Sequence, residues 1–516
     1  MPPAKLVTAT EAIAQIKDDD FLCTAGFIGC GVPDELLLAL EQRFLETGSP
    51  RNLSLLFAAG QGDGKARGLN RLGHAGLMKR VIGGHWGLAP KLARLALDNQ
   101  IEAYNLPQGC ISQLYRDIAA GKPGTLSRIG LGTFIDPRNE GGKINARTTE
   151  DIVHRLELDG RDWLLYRRHP VNVALIRATT ADPRGNLSME REALTLDALA
   201  MAMAAKNNGG IVIAQVERLT VAGSLNPRLV EVPGVLVDYV VLGHAEHHAQ
   251  TYANPYSPYF SGELRALVDA LPPMPLDERK IIARRAAQEL PMNGLVNLGI
   301  GMPEGVAAVA AEENVFQHIT LTAEPGVVGG IPASGLNFGA AYNPDAILNQ
   351  NQLFDLYDGG GLDMACLGMA QCDARGCINV SRFNGKLAGV GGFVNISQTA
   401  RKVVFAGTFT AGGLEVAAAN GKLRILHEGR QAKFIRAVEQ VSFNSQIALE
   451  NKQEIIYITE RCVFTLTADG LTLTEIAPGI ELERDILPHM EFTPIIREPR
   501  LMDERIFQND LMGLVL

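Results

Sequence analysis

Apolar and polar positions along the chain alternate between two periods. At 318–323, Ile319, Leu321 and Ala323 are interleaved with His318, Thr320 and Thr322, the two-residue repeat of a β-strand. Short apolar runs at 21–25, 52–59, 77–83, 101–106, 173–178, 210–216 and 235–242 read as further strands. Between them, 9–20, 34–42, 89–97 and 193–206 carry helical spacing. Strands alternating with helices predict an α/β fold with mostly parallel sheets. Gly26, Gly29 and Gly31 separate the strand 21–25 from Pro33, which opens the helix after it. Proline suits a first helical turn because its missing N–H has no partner to lose there, and Asp34 and Glu35 match the positive end of the helix dipole.

Past the middle the pattern starts again. Residues 252–275 are rich in proline, serine and aromatics and close on Pro272-Pro273-Met274-Pro275, which reads as a linker. A helix over 277–289 follows. Phe21-Leu-Cys-Thr-Ala-Gly26 is then answered by Gly294-Leu-Val-Asn-Leu-Gly299, and Gly29-Cys-Gly-Val-Pro33 by Gly299-Ile-Gly-Met-Pro303 before a helix at 304–313. Leu106-Pro-Gln-Gly109 is matched by Ala323-Glu-Pro-Gly326, Thr133-Phe-Ile-Asp-Pro137 by Ala340-Ala-Tyr-Asn-Pro344, and Thr179-Thr-Ala-Asp-Pro-Arg-Gly185 by Ala370-Gln-Cys-Asp-Ala-Arg-Gly376. Repetition in one order predicts two related α/β domains in tandem and in pseudo-symmetry, 1–275 and 276–516. Closely spaced strands at 402–406, 455–459, 463–467 and 471–476 add a β-rich element to the second.

The repeat makes Glu324 conspicuous. One half ends its strand with a carboxylate; the other places the neutral amide of Gln108 there. Pro325 pushes Glu324 toward extended geometry, so the carboxylate should stand at the carboxyl end of its strand, where open α/β sheets bind ligands. Gly326, Gly329 and Gly330 permit tight turns around it. A carboxylate so placed can attack an activated carbonyl and form an acyl intermediate. If the carbonyl belongs to a thioester, the released thiolate can attack the mixed anhydride and leave a glutamyl thioester. The oxyanions formed on the way need preorganised N–H donors, for which the glycine turns 29–31, 299–301 and 389–392 are candidates.

Composition removes several alternatives. With 46% hydrophobic residues, 20% charged and a formal net charge of -9, the chain is an ordinary globular protein and no general nucleic-acid binder. The 516 residues suggest two to four domains at about 150 residues each. Seven cysteines, odd in number and in no zinc spacing, read as reduced thiols of a cytoplasmic protein. The first twenty residues have no apolar signal core, and no apolar run approaches the ~18 residues of a membrane span. The Gly-X-Gly turns lack the third glycine of a dinucleotide fingerprint. His244-Ala-Glu-His-His248 lacks His-Glu-x-x-His spacing, so hydrogen-bonded histidines are expected there in place of a metal site. No Gly-x-Ser-x-Gly elbow occurs at a strand–helix turn.

Taken together, Gly299-Ile-Gly-Met-Pro303, Glu324-Pro-Gly-Val-Val-Gly-Gly-Ile-Pro-Ala-Ser-Gly335, Asp373-Ala-Arg-Gly376, Gly389-Val-Gly-Gly-Phe393 and Ile476-Ala-Pro-Gly479 resemble the family I CoA-transferases, in the form that fuses both halves. The likeness covers nearly the whole chain and is strongest to the propionate CoA-transferase and short-chain acyl-CoA:acetoacetate CoA-transferase branch. It implies that Glu324 carries CoA as a thioester in a ping-pong exchange between short-chain acids. It implies that Gly299, Gly301, Gly391 and Gly392 lie along CoA and the oxyanion, and that Gln108, with Gly29 and Gly31, meets the substrate. It further implies a homotetramer, CoA as co-substrate, and no permanently bound cofactor or metal. An acyl-CoA hydrolase using the same glutamate and a non-catalytic acyl-CoA sensor are the competing expectations.

Overall fold

A computed structural model describes residues 4–267 and 274–516, so Pro272 and Pro273 of the expected linker, like Met1–Pro3, lie outside the described residues. The chain forms two compact units, and they do not follow the consecutive division at 275. The first comprises Met1–Ala266, Ala323–Asp355 and Leu387–Asn395; the second comprises Leu267–Thr322, Leu356–Lys386 and Ile396–Leu516.

In the first unit the main path of one sheet runs, in spatial order, Lys5–Val7, Tyr239–Leu242, Ile211–Leu219, Val173–Ala181, Phe21–Thr24, Leu53–Phe57, Met78–Gly83 and Glu102–Asn105. Each neighbouring pair on this path is parallel. Central strands such as Val173–Ala181 are buried along their whole length, as strands covered on both faces must be. Helices Asp34–Thr47 and Pro90–Leu97 present Leu36, Leu37, Leu40, Leu92 and Ala96 to the sheet residues Leu22, Leu55 and Val81 in one core. A second core joins Phe27, Ile28 and Cys30 to Leu194, Leu196, Ala323, Val327 and Phe338.

Sequence periodicity locates these elements but misjudges some ends. The helix expected over 9–20 stops at Ile13, after a capping box between Thr8 and Glu11. Asp19 then takes the left-handed backbone at φ 66, which no helix tolerates. Of the strand expected at 235–242, only Tyr239–Leu242 pairs. The helix Gln108–Ala119 and the three-stranded sheet of Gly124–Ser127, Arg161–Arg167 and Val153–Leu158 were not anticipated.

The second unit has its own parallel series, Leu295–Leu298, Met364–Gly368, Lys402–Ala406 and Glu454–Ile458, flanked by the strand Thr320–Ala323, whose last residue passes into the first unit. Cys462–Thr467 and Gly470–Ile476 extend it antiparallel, giving the β-rich end. Repetition survives at atomic detail. The Asp182 carboxylate accepts from the amides of Arg184 and Asn186 at 2.8 and 3.0 Å, and Gly185 has φ 83. The Asp373 carboxylate accepts from those of Arg375 and Cys377 at 3.0 Å each, and Gly376 has φ 86.

Candidate active site

Glu324 stands where expected, in the turn that directly follows the strand Thr320–Ala323, and is partly exposed. Its position is fixed from below. Ala323 and Val327 are buried in the core with Phe27, Ile28 and Cys30. Gly326 closes the turn at φ 136, its amide donating to the Ala323 carbonyl at 3.1 Å and its carbonyl accepting from the Leu348 amide at 2.8 Å. A Cβ there would meet the Leu348 oxygen at 2.1 Å, so only glycine serves. Val327–Val328 then pairs antiparallel with Ala346–Ile347, returning the chain to Leu348 and on to Gln350.

Gln350 carries this connection to Gln108. The strand Glu102–Asn105 ends, Pro107 caps, and Gln108 is the first residue of the helix Gln108–Ala119. Its amide N–H donates to the Gly391 carbonyl at 2.9 Å, and its side-chain Nε2 donates to Gln350 Oε1 at 3.0 Å. The Glu324 turn, Gln108 and the Gly391 turn therefore belong to one compact unit, joined by short bonded links.

The glycine turn at 389–392 is clamped by a residue that sequence reasoning missed. Asn105 Nδ2 donates to the carbonyls of Gly83 and Gly84 at 3.0 and 2.6 Å, while its Oδ1 accepts from the Val390 amide at 3.1 Å. Gly391 in turn donates to the Gly84 carbonyl at 2.8 Å. A Cβ on Gly391 would sit 3.5 Å from Gln108 Oε1 and 3.7 Å from His85 Cβ, so the glycine leaves these side chains uncrowded. Gly392 immediately precedes the helix Phe393–Thr399. Burial pushes His85 down to about 4, so its ring is neutral at physiological pH. Its Nδ1 is buried without a hydrogen-bond partner among the described residues.

The other expected glycines are placed differently. A Cβ on Gly29 would meet the Tyr252 backbone nitrogen at 2.4 Å, and one on Gly31, at φ 65, would meet Leu196 Cδ1 at 2.6 Å. Packing explains both. Gly299 and Gly301 belong to the second unit. The Gly299 amide is already bonded to the Cys366 carbonyl at 2.8 Å, and Gly301, at φ 88, has open space where a Cβ would be. Of the histidine run, His244 bonds Glu35 at 3.0 Å and His248 contacts Gln215 at 3.0 Å, as hydrogen-bonded histidines. All seven cysteines are buried and none is in a disulfide among the described residues, with Cys30, Cys366 and Cys462 each pushed up to about 12 by burial.

A strand that ends at a glutamate, connected through short bonded links to an amide and a tethered glycine turn, has the parts for acyl transfer through a carboxylate. The chain belongs to the coenzyme A transferase family, and it is a CoA-transferase with the two halves fused and with CoA as co-substrate. The family description "Coenzyme A transferase" matches residues 6–243. The chain is 46% identical to a caffeate CoA-transferase of Acetobacterium woodii, over 99% of both chains. It is 44% identical to the acetate CoA-transferase YdiF of Escherichia coli K12, over 99% of this chain and 96% of that one. The crystal structure of YdiF from E. coli O157:H7, described as a thioester complex with CoA, superposes with a TM-score of 0.95 at 43% identity, covering 100% of this chain and 98% of that one. Among the described residues no helix is long and apolar enough to cross a membrane.

Proposed function

We propose that this enzyme moves CoA from a short-chain acyl-CoA to a second short-chain carboxylic acid, with Glu324 carrying the CoA between them. A Glu324 carboxylate oxygen attacks the thioester carbonyl, and the C–S bond breaks to give an acyl–glutamyl anhydride and CoA thiolate. The thiolate attacks the glutamyl carbonyl, releasing the first acid as its carboxylate and leaving a glutamyl-CoA thioester. The incoming carboxylate runs the same two steps in reverse and regenerates Glu324. No net proton moves, so the cycle calls for no general base, resident cofactor or metal.

The observation that carries this reading is the turn at Glu324. It is set rigidly at a strand's carboxyl end and linked through Leu348 and Gln350 to Gln108 and Gly391. In this reading Gln108 hydrogen-bonds the substrate carboxylate, while Gly391 and Gly392 border the oxyanion. Gly29 and Gly31 act on the substrate side through backbone alone, since Tyr252 and Leu196 occupy their Cβ positions. Gly299 and Gly301 follow the CoA chain, Gly301 with its open face. The family halves are 1–275 and 276–516; the assembly is a cytoplasmic homotetramer. The relatives named for acetate and for caffeate bracket the acceptors to be compared.

The test is trapping. Incubation with acetyl-CoA followed by borohydride should modify Glu324 in the peptide map, and Glu324→Ala should lose both the modification and CoA exchange. An active alanine variant sinks the mechanism. Release of free CoA at the turnover rate with no acceptor present would reassign the enzyme as a hydrolase.

A further inference from the structure

Behind Gln108 lies a buried polar chain for which the reaction scheme has no use. Gln108 Nε2 donates to Gln350 Oε1 at 3.0 Å, Gln350 Nε2 donates to Asp197 Oδ2 at 2.6 Å, and Ser112 Oγ donates to Asp197 Oδ1 at 2.5 Å. All four residues are at most 3% exposed. We propose that Asp197 is a positioning residue that dictates, through Gln350, which end of the Gln108 amide is turned toward substrate.

The argument is one of donor and acceptor bookkeeping. An ionised carboxylate only accepts, so Gln350 must offer Asp197 its NH2 and keep its carbonyl oxygen for Gln108. Gln108 must then spend one N–H on Gln350, which turns its own Oε1 toward Gly391. A protonated Asp197 reverses the chain. Its O–H donates to the Gln350 carbonyl, Gln350 offers its NH2 to Gln108 Oε1, and Gln108 turns its NH2 toward Gly391. Each orientation pairs a donor with an acceptor at both links of the chain Gln108–Gln350–Asp197, so intermediate arrangements are disfavoured and the chain has two states. The ionised state is the competent one: Gln108 gives one N–H to Gln350 and keeps the other N–H of the same amide for the substrate carboxylate, whereas the reversed chain turns both toward Gly391.

Asp197 is placed to switch between them. Burial raises it to about 6, against the bonds from Ser112, Gln350 and the Asn351 amide and the charge of Arg116, which pull it down. Arg116 itself is paired with Asp355 at 2.6 Å. Cys23 and Tyr115, which also face Asp197, have their own pKa values raised by burial and stay neutral throughout this range.

This inference rests on the reading that Gln108 meets substrate. It is tested by the pH profile of kcat/KM for the acceptor acid, between pH 5 and 8, in overall CoA exchange. The wild type should show an acid limb with a midpoint near 6, falling tenfold per pH unit below it; the acceptor's own carboxyl titrates lower, at about 4–5. Asp197→Asn should abolish the limb. Ser112→Ala, a milder change, should move the midpoint upward, because the hydroxyl bond that favours the anion is gone. A wild type without the limb, or a limb unmoved in Ser112→Ala and retained in Asp197→Asn, overturns the proposal. Borohydride trapping at pH 7.5 reads Glu324 independently. Labelled Glu324 with an immobile limb rejects only the relay, and unlabelled Glu324 with a mobile limb rejects only the covalent mechanism.

Discussion

Asn105 offers the sharpest check on whether the glycine turn at 389–392 belongs to the catalytic machinery. Replacing it with alanine removes three buried hydrogen bonds at a residue that is 1% exposed. They are not equal. The Gly83 carbonyl still accepts from the Leu106 amide at 3.2 Å, and the Gly84 carbonyl still accepts from the Gly391 amide at 2.8 Å. Only the Val390 N–H loses its acceptor outright. An orphaned buried donor costs about 1–3 kcal/mol, and each of the two weakened carbonyls adds about 0.5–1 kcal/mol. The total is about 2–5 kcal/mol, concentrated where the turn meets the end of the strand Met78–Gly83. If about half of that is felt in the transition state, kcat/KM falls by about five- to sixtyfold, since about 1.4 kcal/mol is a factor of ten.

The aspartate variant separates geometry from volume. Asn105→Asp keeps an acceptor for Val390 but sets a carboxylate oxygen against the Gly83 and Gly84 carbonyls, where only a protonated acid could donate. It should be worse than alanine at pH 8 and recover in part at pH 6. Steady-state exchange, melting temperature and Glu324 trapping on the same preparations decide the matter. An alanine variant within twofold of wild type, or an aspartate variant equal to wild type at pH 8, refutes the assignment of this clamp.

Two further substitutions test the energetics elsewhere. Lys433 is 8% exposed, and burial lowers its ammonium from 10.5 to about 8, a shift of 10.5 − 8 = 2.5. That corresponds to about 3 kcal/mol of strain in the charged form, fully present below pH 8 and gone above 10.5. Lys433→Met should therefore raise the melting temperature at pH 7, with the gain fading toward pH 10.5; a pH-independent gain, or none, contradicts the sign. Gly29→Ala should lower the melting temperature by more than Gly121→Ala, because the first drives a Cβ to 2.4 Å from the Tyr252 backbone whereas the second, at φ 70, has nothing within 4 Å and bears only backbone strain. Equal losses would show that Tyr252 yields.

What the sequence discloses about this site depends on the range of the interaction involved. Glu324 was legible because its constraint is local: an alternating strand before it, a proline after it, and glycines that must turn. The Asp182 and Asp373 turns were legible for the same reason, each carboxylate bonding amides within four residues. The helix Gln108–Ala119 could have been read, since Ile111, Leu114, Tyr115 and Ile118 keep helical spacing; the Pro-Gln-Gly at its start suggested a turn instead.

Asn105 and Val390 are another matter. They lie 285 positions apart, and a polar residue closing a strand has no periodicity to announce such a partner. Gln350 and Asp197, 153 apart, are equally silent. The same limit explains the division of the chain. The halves 1–275 and 276–516 follow from local motifs, but Ala323–Asp355 joins the first compact unit through the apolar residues Ala323, Val327 and Phe338, which pack on Phe27 and Leu194. Counting glycines overstated the free amides for a related reason. Whether an N–H is free depends on its partner, and those of Gly299 and Gly391 were already committed to Cys366 and Gly84. The Gly391 amide, bonded to Gly84, thus holds the turn beside Gln108 in place of offering a free donor.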